Sequence, residues 1–82
     1  MPDRMMAPND YNERDVQMVF QQTNAGDWDQ AIDWLRSDGY DQLAPGHAES
    51  MLMDLERLQE EDVHFVRDPH QIFELAKQHR ML

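Results

Sequence analysis

Four segments of this sequence repeat apolar residues at the spacing of a helical face, and this feature constrains the fold more than any other. Between Asn12 and about Asn24, Val16, Val19 and Phe20 follow the i, i+3, i+4 pattern. The spacing predicts a first helix. A set of such helices must bury their apolar stripes against one another, which favours a helical bundle.

The second predicted helix has clear end signals. Asp27 stands at the position of an N-cap, and Gln30, three residues later, can complete a capping box. Gly39 is the residue type that most often ends a helix in the left-handed conformation, which predicts a stop near Asp38. The segment 40–46, which contains a Pro-Gly pair, is then expected to be a connector.

Two more helices are expected in the second half of the chain. A third stripe extends from Ala48 to Leu58, with Asp54 on the solvent side. A fourth helix should begin after Asp68, because the next residue is proline, which fits a first helical turn, and aspartate caps the free amides. Between them, β-branched and aromatic residues at 63–66 favour either one short strand or a buried linker.

Length and composition limit the chain to one core. Its 82 residues contain no cysteine but 40% hydrophobic residues, so the core must form without disulfides or thiolate metal sites. We expect a mainly α fold, a small four-helix domain over residues 10–82 that follows a flexible arm at residues 1–9. The predicted core residues are Val16, Phe20, Trp28, Ile32, Leu35, Leu52, Leu55, Phe65, Ile72 and Phe73.

The charge balance is the most unusual global property. Seventeen Asp and Glu oppose seven Lys and Arg, which gives a formal net charge of -10. Such a field repels phosphate backbones and anionic lipid but attracts a basic protein surface. No apolar stretch approaches the roughly 20 residues that span a bilayer, and the first ten residues lack the apolar region of a secretory signal. We therefore expect a cytoplasmic protein whose partner is a basic protein surface, without direct binding to nucleic acid or membrane.

The candidate binding residues are mainly acidic. They are Asp27, Asp29, Asp33, Asp38 and Asp41 along the second helix, Glu60, Glu61 and Asp62 after the third, and Trp34. On a helix these carboxylates repeat several ångströms apart, comparable with the roughly 3.4 Å step between phosphates of one nucleic-acid strand. Such a display would fit the basic groove of a nucleic-acid-binding protein. The alternative is a solvated face that only maintains solubility. Of the two tryptophans, we expect one in the core and the other partly exposed.

Motifs for catalysis and for cofactors are missing from the sequence. It contains no nucleophile elbow, glycine-rich phosphate loop or HExxH motif, so we expect neither an enzyme nor a bound cofactor. His70 and Glu74 share a helical face, and Glu61, Asp62 and His64 are conceivable further metal ligands. Histidine and glutamate at this spacing more often form a solvated pair, and we expect no metal site.

Residues 4–39 resemble the ubiquitin-associated (UBA) and related three-helix modules, including the module that opens bacterial elongation factor Ts. The run is RMMAPNDYNERDVQMVFQQTNAGDWDQAIDWLRSDG. Positions that fit the family are Val16, Val19, Phe20, Asn24, Asp27, Ala31, Ile32 and Leu35, with Tyr11 in place of the family's Phe. Asn9, Asp10 and Tyr11 replace the Met-Gly-Phe turn that contacts ubiquitin. The resemblance implies UBA-like helices over 10–39, followed by the C-terminal helices over 47–82.

Three functions remain as alternatives at this point. Short, acidic, cysteine-free, helical chains are similar in character to small phage-encoded inhibitors of the anti-CRISPR or DNA-mimic type, which favours a non-catalytic inhibitor or adaptor. The UBA resemblance instead implies a recognition module with an apolar patch around Tyr11, Met18 and Leu35. The third is a structural homo-oligomer, for example a homodimer, in which methionines meet across a two-fold axis.

Overall fold

The computed structural model describes residues 11–44 and 46–80, and in this part of the chain four helices follow one another. Helix α1 is Glu13–Gln22, α3 is His47–Glu60 and α4 is Pro69–Arg80. Helix α2 covers residues 28–42 and has three parts, namely the α-helical Trp28–Trp34, a π turn at Leu35–Gly39 and a last α turn at Tyr40–Gln42. The predicted mainly helical fold is confirmed, whereas the predicted arm at 1–9 lies outside the described residues.

The helix starts agree with the capping pattern of the sequence. The Asn12 side chain caps α1 by accepting a hydrogen bond from the Asp15 amide. The Asp15 carboxylate in turn accepts one from the Asn12 amide, which completes a capping box. At α2, the Gln30 amide donates to Asp27 at 2.9 Å, while the Gln30 side chain accepts from the Gly26 amide at 2.6 Å. Both helices therefore begin where side chains satisfy amides that have no helical partner.

The end of α2 differs from the prediction. Gly39 has a right-handed helical φ of -60°, and the helix continues to Gln42, so the predicted stop near Asp38 and the connector from residue 40 are wrong. A Cβ atom at position 39 would lie 2.8 Å from the Leu35 Cδ2 atom. The glycine is thus required for close packing inside the π turn, where the Leu35 side chain crosses it, and does not end the helix.

One core lies between the four helices. Seven of the ten predicted core residues are buried, and Leu52, Phe65 and Phe73 are partly buried against them. The buried apolar residues are Tyr11, Val16, Val19, Phe20, Ala25, Trp28, Ala31, Ile32, Leu35, Leu43, Ala48, Met51, Leu55, Leu58, Ile72 and Ala76. Helix α1 packs on α4, α2 packs on α3, and α3 packs on α4, so each helix buries one face.

An extended linker joins α3 to α4. Asp62 has a left-handed φ of 60° just after α3, and residues 63–68 then run without helical structure. The Val63 carbonyl accepts a hydrogen bond from the Trp28 indole nitrogen at 2.7 Å, and Phe65 meets the Trp28 ring edge-on at 4.8 Å. No described residue pairs with this segment as a strand, so the linker alternative holds and the short strand at 63–66 does not form.

Asp54 is buried, contrary to its predicted place on the solvent side of α3. It is 3% exposed and accepts a hydrogen bond from the Tyr11 hydroxyl at 2.6 Å. The guanidinium groups of Arg57 and Arg80 also donate to it. Because a buried charge needs partners of this kind, the cluster holds the segment before α1, α3 and α4 together.

Candidate interaction surface

The five predicted aspartates of α2 are all on the protein surface. Asp27, Asp29, Asp33, Asp38 and Asp41 are each exposed. They remain exposed because α2 turns its opposite face, which is apolar, toward α3 and the core. The exposure meets the first requirement for a contact surface, since a partner can reach these carboxylates.

Two side-chain contacts fix α2 beside α3. The Gln59 side-chain amide donates to the Asp29 carboxylate at 2.9 Å, and Arg36 pairs with Glu56 at 2.5 Å. Position 29 thus meets 59 and position 36 meets 56, which shows that the two helices run in opposite directions. No local pattern in the sequence predicts these pairs, because each depends on how the two helices align after folding.

This alignment brings two predicted acidic groups together. Gln59, which contacts Asp29, directly precedes the exposed run Glu60, Glu61 and Asp62. The beginning of α2 therefore lies beside the end of α3. We give the name acidic ridge to the exposed acidic residues of these two neighbouring segments, which are Asp27, Asp29, Asp33, Glu60, Glu61 and Asp62.

Asp38 and Asp41 lie farther along α2 than the acidic ridge. They follow Asp33, the nearest member of the ridge, by five and eight residues, which corresponds to about 8 and 12 Å along a helix that rises 1.5 Å per residue. Trp34 is partly buried against the core and Trp28 is fully within it, which confirms the expected division between the two tryptophans. Trp34 thus offers a partner only part of its ring.

Several arginines are occupied by contacts within the protein. Arg67 donates to the carbonyl groups of Phe20, Thr23 and Ala25 at 3.0, 3.3 and 2.8 Å, and therefore anchors the linker to the end of α1. By contrast, the carboxylates of Asp33 and Glu60 have no side-chain partner among the described residues. The uncompensated charge of the ridge is consequently negative.

No protein-family model, curated protein or solved structure matches this chain. Its function must therefore be inferred from its own surface.

The apolar patch that the UBA resemblance implies is not present as an exposed surface. Tyr11 is 5% exposed and Leu35 is 0% exposed, because Tyr11 binds Asp54 and packs edge-on against Phe73. Met18 is partly buried. These three residues stabilise the core, so a partner could not contact them as one patch.

Three of the five residues considered for a metal site have other side-chain partners, and one of these is Glu74, which pairs with Lys77 at 3.5 Å. His70 pairs with Glu13 at 2.8 Å, and Glu61 pairs with His79. The hydrogen bond and the negative charge of Glu13 raise the pKa of His70 above its ordinary value. Throughout residues 11–44 and 46–80, no three His, Cys, Asp or Glu side chains converge as a possible ligand set. Within the same ranges, every helix is too short or too polar to cross a bilayer.

Proposed function

We propose that this protein is a non-catalytic inhibitor or adaptor that covers a basic surface of a partner protein with its acidic ridge. The observation that supports the proposal is the contact between Gln59 and Asp29, which brings two segments with exposed carboxylates beside each other. A rigid arrangement of charges loses less conformational freedom on binding than a flexible acidic tail would.

The partner surface in this proposal is a nucleic-acid-binding site. A protein with a net charge of -10 repels nucleic acid itself but is steered toward the cationic grooves that bind it. The helix-borne carboxylates then take the place of phosphates, as in DNA-mimic or anti-CRISPR inhibitors encoded by phages. The function is stoichiometric occlusion, and its location is the cytoplasm, where such partners act.

Competition with DNA tests the proposal. The immobilised protein is exposed to a lysate of its source organism, and bound proteins are eluted with double-stranded DNA. We expect DNA to release a basic protein, because the same groove cannot hold both ligands. If DNA does not elute the captured proteins but detergent alone does, the partner surface is apolar and the proposal is wrong.

A matched pair of charge reversals locates the contact. Asp33→Lys changes the acidic ridge, and Glu49→Lys makes the same change at an exposed position in the first turn of α3. Because like charges across an interface cost several kcal/mol, we expect Asp33→Lys to weaken capture by more than about tenfold and Glu49→Lys to have a much smaller effect. Equal effects would contradict a localised ridge.

A further inference from the structure

An apolar groove lies between the linker 63–68 and α4. Its volume is about 420 Å³, within the range of roughly 300 to 1,000 Å³ that is typical of binding pockets. Val63, Val66 and Leu75 form its apolar part and are only partly buried. The remaining lining residues are His64, His70, Gln71, Glu74 and Gln78.

The charges around the groove favour a cationic occupant. Glu74 is a lining residue, and among residues 11–44 and 46–80 no lysine or arginine lines the groove. Arg67 follows Val66 in the chain, but its guanidinium group is held by carbonyl groups at the end of α1. Lys77 lies over the Phe73 ring, with 4.8 Å between its nitrogen and the ring centroid, and it also pairs with Glu74 at 3.5 Å. Two further carboxylates, those of Glu13 and Asp68, contact the lining residue His70. Apolar side chains flanked by lysine or arginine would therefore complement the acidic surroundings of this site.

The groove continues from the acidic ridge. Val63, its first lining residue, directly follows Asp62, the last residue of the ridge. A segment that lies in the groove can thus extend over the carboxylates at the end of α3. A second copy of this chain is a poor occupant, because it would bring another net charge of -10 to the same place.

From this geometry we infer that the groove binds an amphipathic, lysine- or arginine-rich peptide segment of the partner protein, with the apolar side chains of the segment on Val63, Val66 and Leu75. The inference rests on the proposed function, since it specifies the partner that the acidic ridge attracts. It adds an apolar anchor to an otherwise electrostatic contact.

A synthetic peptide tests the inference on the full-length protein. The probe is a fluorescent 12-residue peptide of leucine and lysine with all leucines on one helical face, and the control peptide has the same composition in scrambled order. We expect fluorescence anisotropy to show about tenfold tighter binding of the amphipathic peptide, because one buried leucine contributes about that factor. Equal affinity for the two peptides would overturn the inference.

Variants of the protein assign the preference to the groove. We expect Leu75→Gln, and the nearly isosteric Val66→Thr, to reduce the preference for the amphipathic peptide severalfold or more. Leu52→Gln, a change of another partly buried leucine outside the groove, should leave the preference intact. Circular dichroism shows whether each variant is folded. If Leu75→Gln is unfolded, Val66→Thr is used as the groove variant. If Leu52→Gln reduces the preference as much as the groove variants, the inference is wrong.

Further measurements separate this inference from the proposed function. Asp33→Lys should weaken the binding of both peptides to a similar degree, because it alters the charge of the acidic ridge and leaves the groove unchanged. If Asp33→Lys has no effect while Leu75→Gln abolishes the preference, the groove binds but the acidic ridge does not contribute. A dimer in sedimentation that Leu75→Gln dissociates would assign the groove to a second copy and overturn the inference.

Discussion

Replacement of Asp54 by asparagine is expected to lower the free energy of unfolding by about 3 kcal/mol. The Asp54 carboxylate is 3% exposed and accepts hydrogen bonds from Tyr11, Arg57 and Arg80. Loss of one charge from a buried ion pair costs about 3 to 5 kcal/mol. The lower end applies here, because asparagine retains an acceptor oxygen and both arginine side chains are 35% exposed to water.

Urea unfolding followed by tryptophan fluorescence measures this loss. A domain of this length has a total stability of about 4 to 12 kcal/mol, so the variant should remain folded but melt about 12 to 24 °C lower. Glu56→Gln is the matched control, because it changes the same helix at an exposed pair with Arg36 and should cost less than about 1 kcal/mol. If Asp54→Asn costs no more than this control, the buried cluster does not stabilise the fold as argued.

Three other changes have outcomes that follow from single contacts. Asp62→Gly should stabilise the protein to urea by about 1 kcal/mol, because glycine adopts the φ of 60° without strain and removes a negative charge at the helix end. Gly39→Ala should destabilise it by about 1 to 3 kcal/mol, since the new Cβ would lie 2.8 Å from Leu35. Glu13 raises the pKa of His70, so the stability from this pair is complete below pH of about 6.5 and is lost as pH rises through the raised pKa. His70→Gln should therefore reduce the fall in melting temperature between pH 6 and pH 8.

Each of these changes has a contrary outcome. Asp38→Gly, in the right-handed part of α2, should cost about 0.3 kcal/mol, because glycine has a slightly lower helix propensity than aspartate. Equal effects at Asp62 and Asp38 would contradict the left-handed conformation of Asp62. A gain in stability from Gly39→Ala, as for most helical glycines, would show that Leu35 does not pack across residue 39. An unchanged pH dependence in His70→Gln would show that the imidazole does not bind Glu13 in solution.

The parts of the fold that depend on neighbouring residues could be predicted from the sequence. The starts of α2 and α4 follow from Asp27 and Asp68, whose side chains accept amide hydrogen bonds within three residues. The apolar stripes likewise identified the buried faces of the helices, because the period of 3.6 residues is a local property. The predicted and observed starts of these two helices therefore agree.

The parts that depend on tertiary contacts could not be predicted in the same way. Asp54 has the polarity of a surface residue, and only the arrival of Tyr11 and Arg80 from distant segments makes its burial favourable. Gly39 was expected to end α2, but the packing of Leu35 in a π turn overrides that preference. A glycine can therefore allow close packing inside a helix instead of ending it, and a charged residue can lie in the core instead of on the solvent-exposed face.

The candidate site shows the same division. The sequence identified the exposed aspartates, whereas it did not show that Asp29 and the run at 60–62 share a surface while Asp38 and Asp41 lie farther along α2. The sequence likewise does not predict the groove beside Leu75, since its walls come from a linker and a helix whose contact is set by folding.

The salt dependence of binding to the DNA-displaced partner is the most direct test of the central claim, which is that a folded scaffold holds the acidic ridge against a basic surface. We expect the dissociation constant to rise by at least about tenfold between 50 and 500 mM NaCl, because salt screens charge pairs over the distance between two protein surfaces. The dependence should be weaker for Asp33→Lys. An affinity that is the same at both salt concentrations would contradict the account.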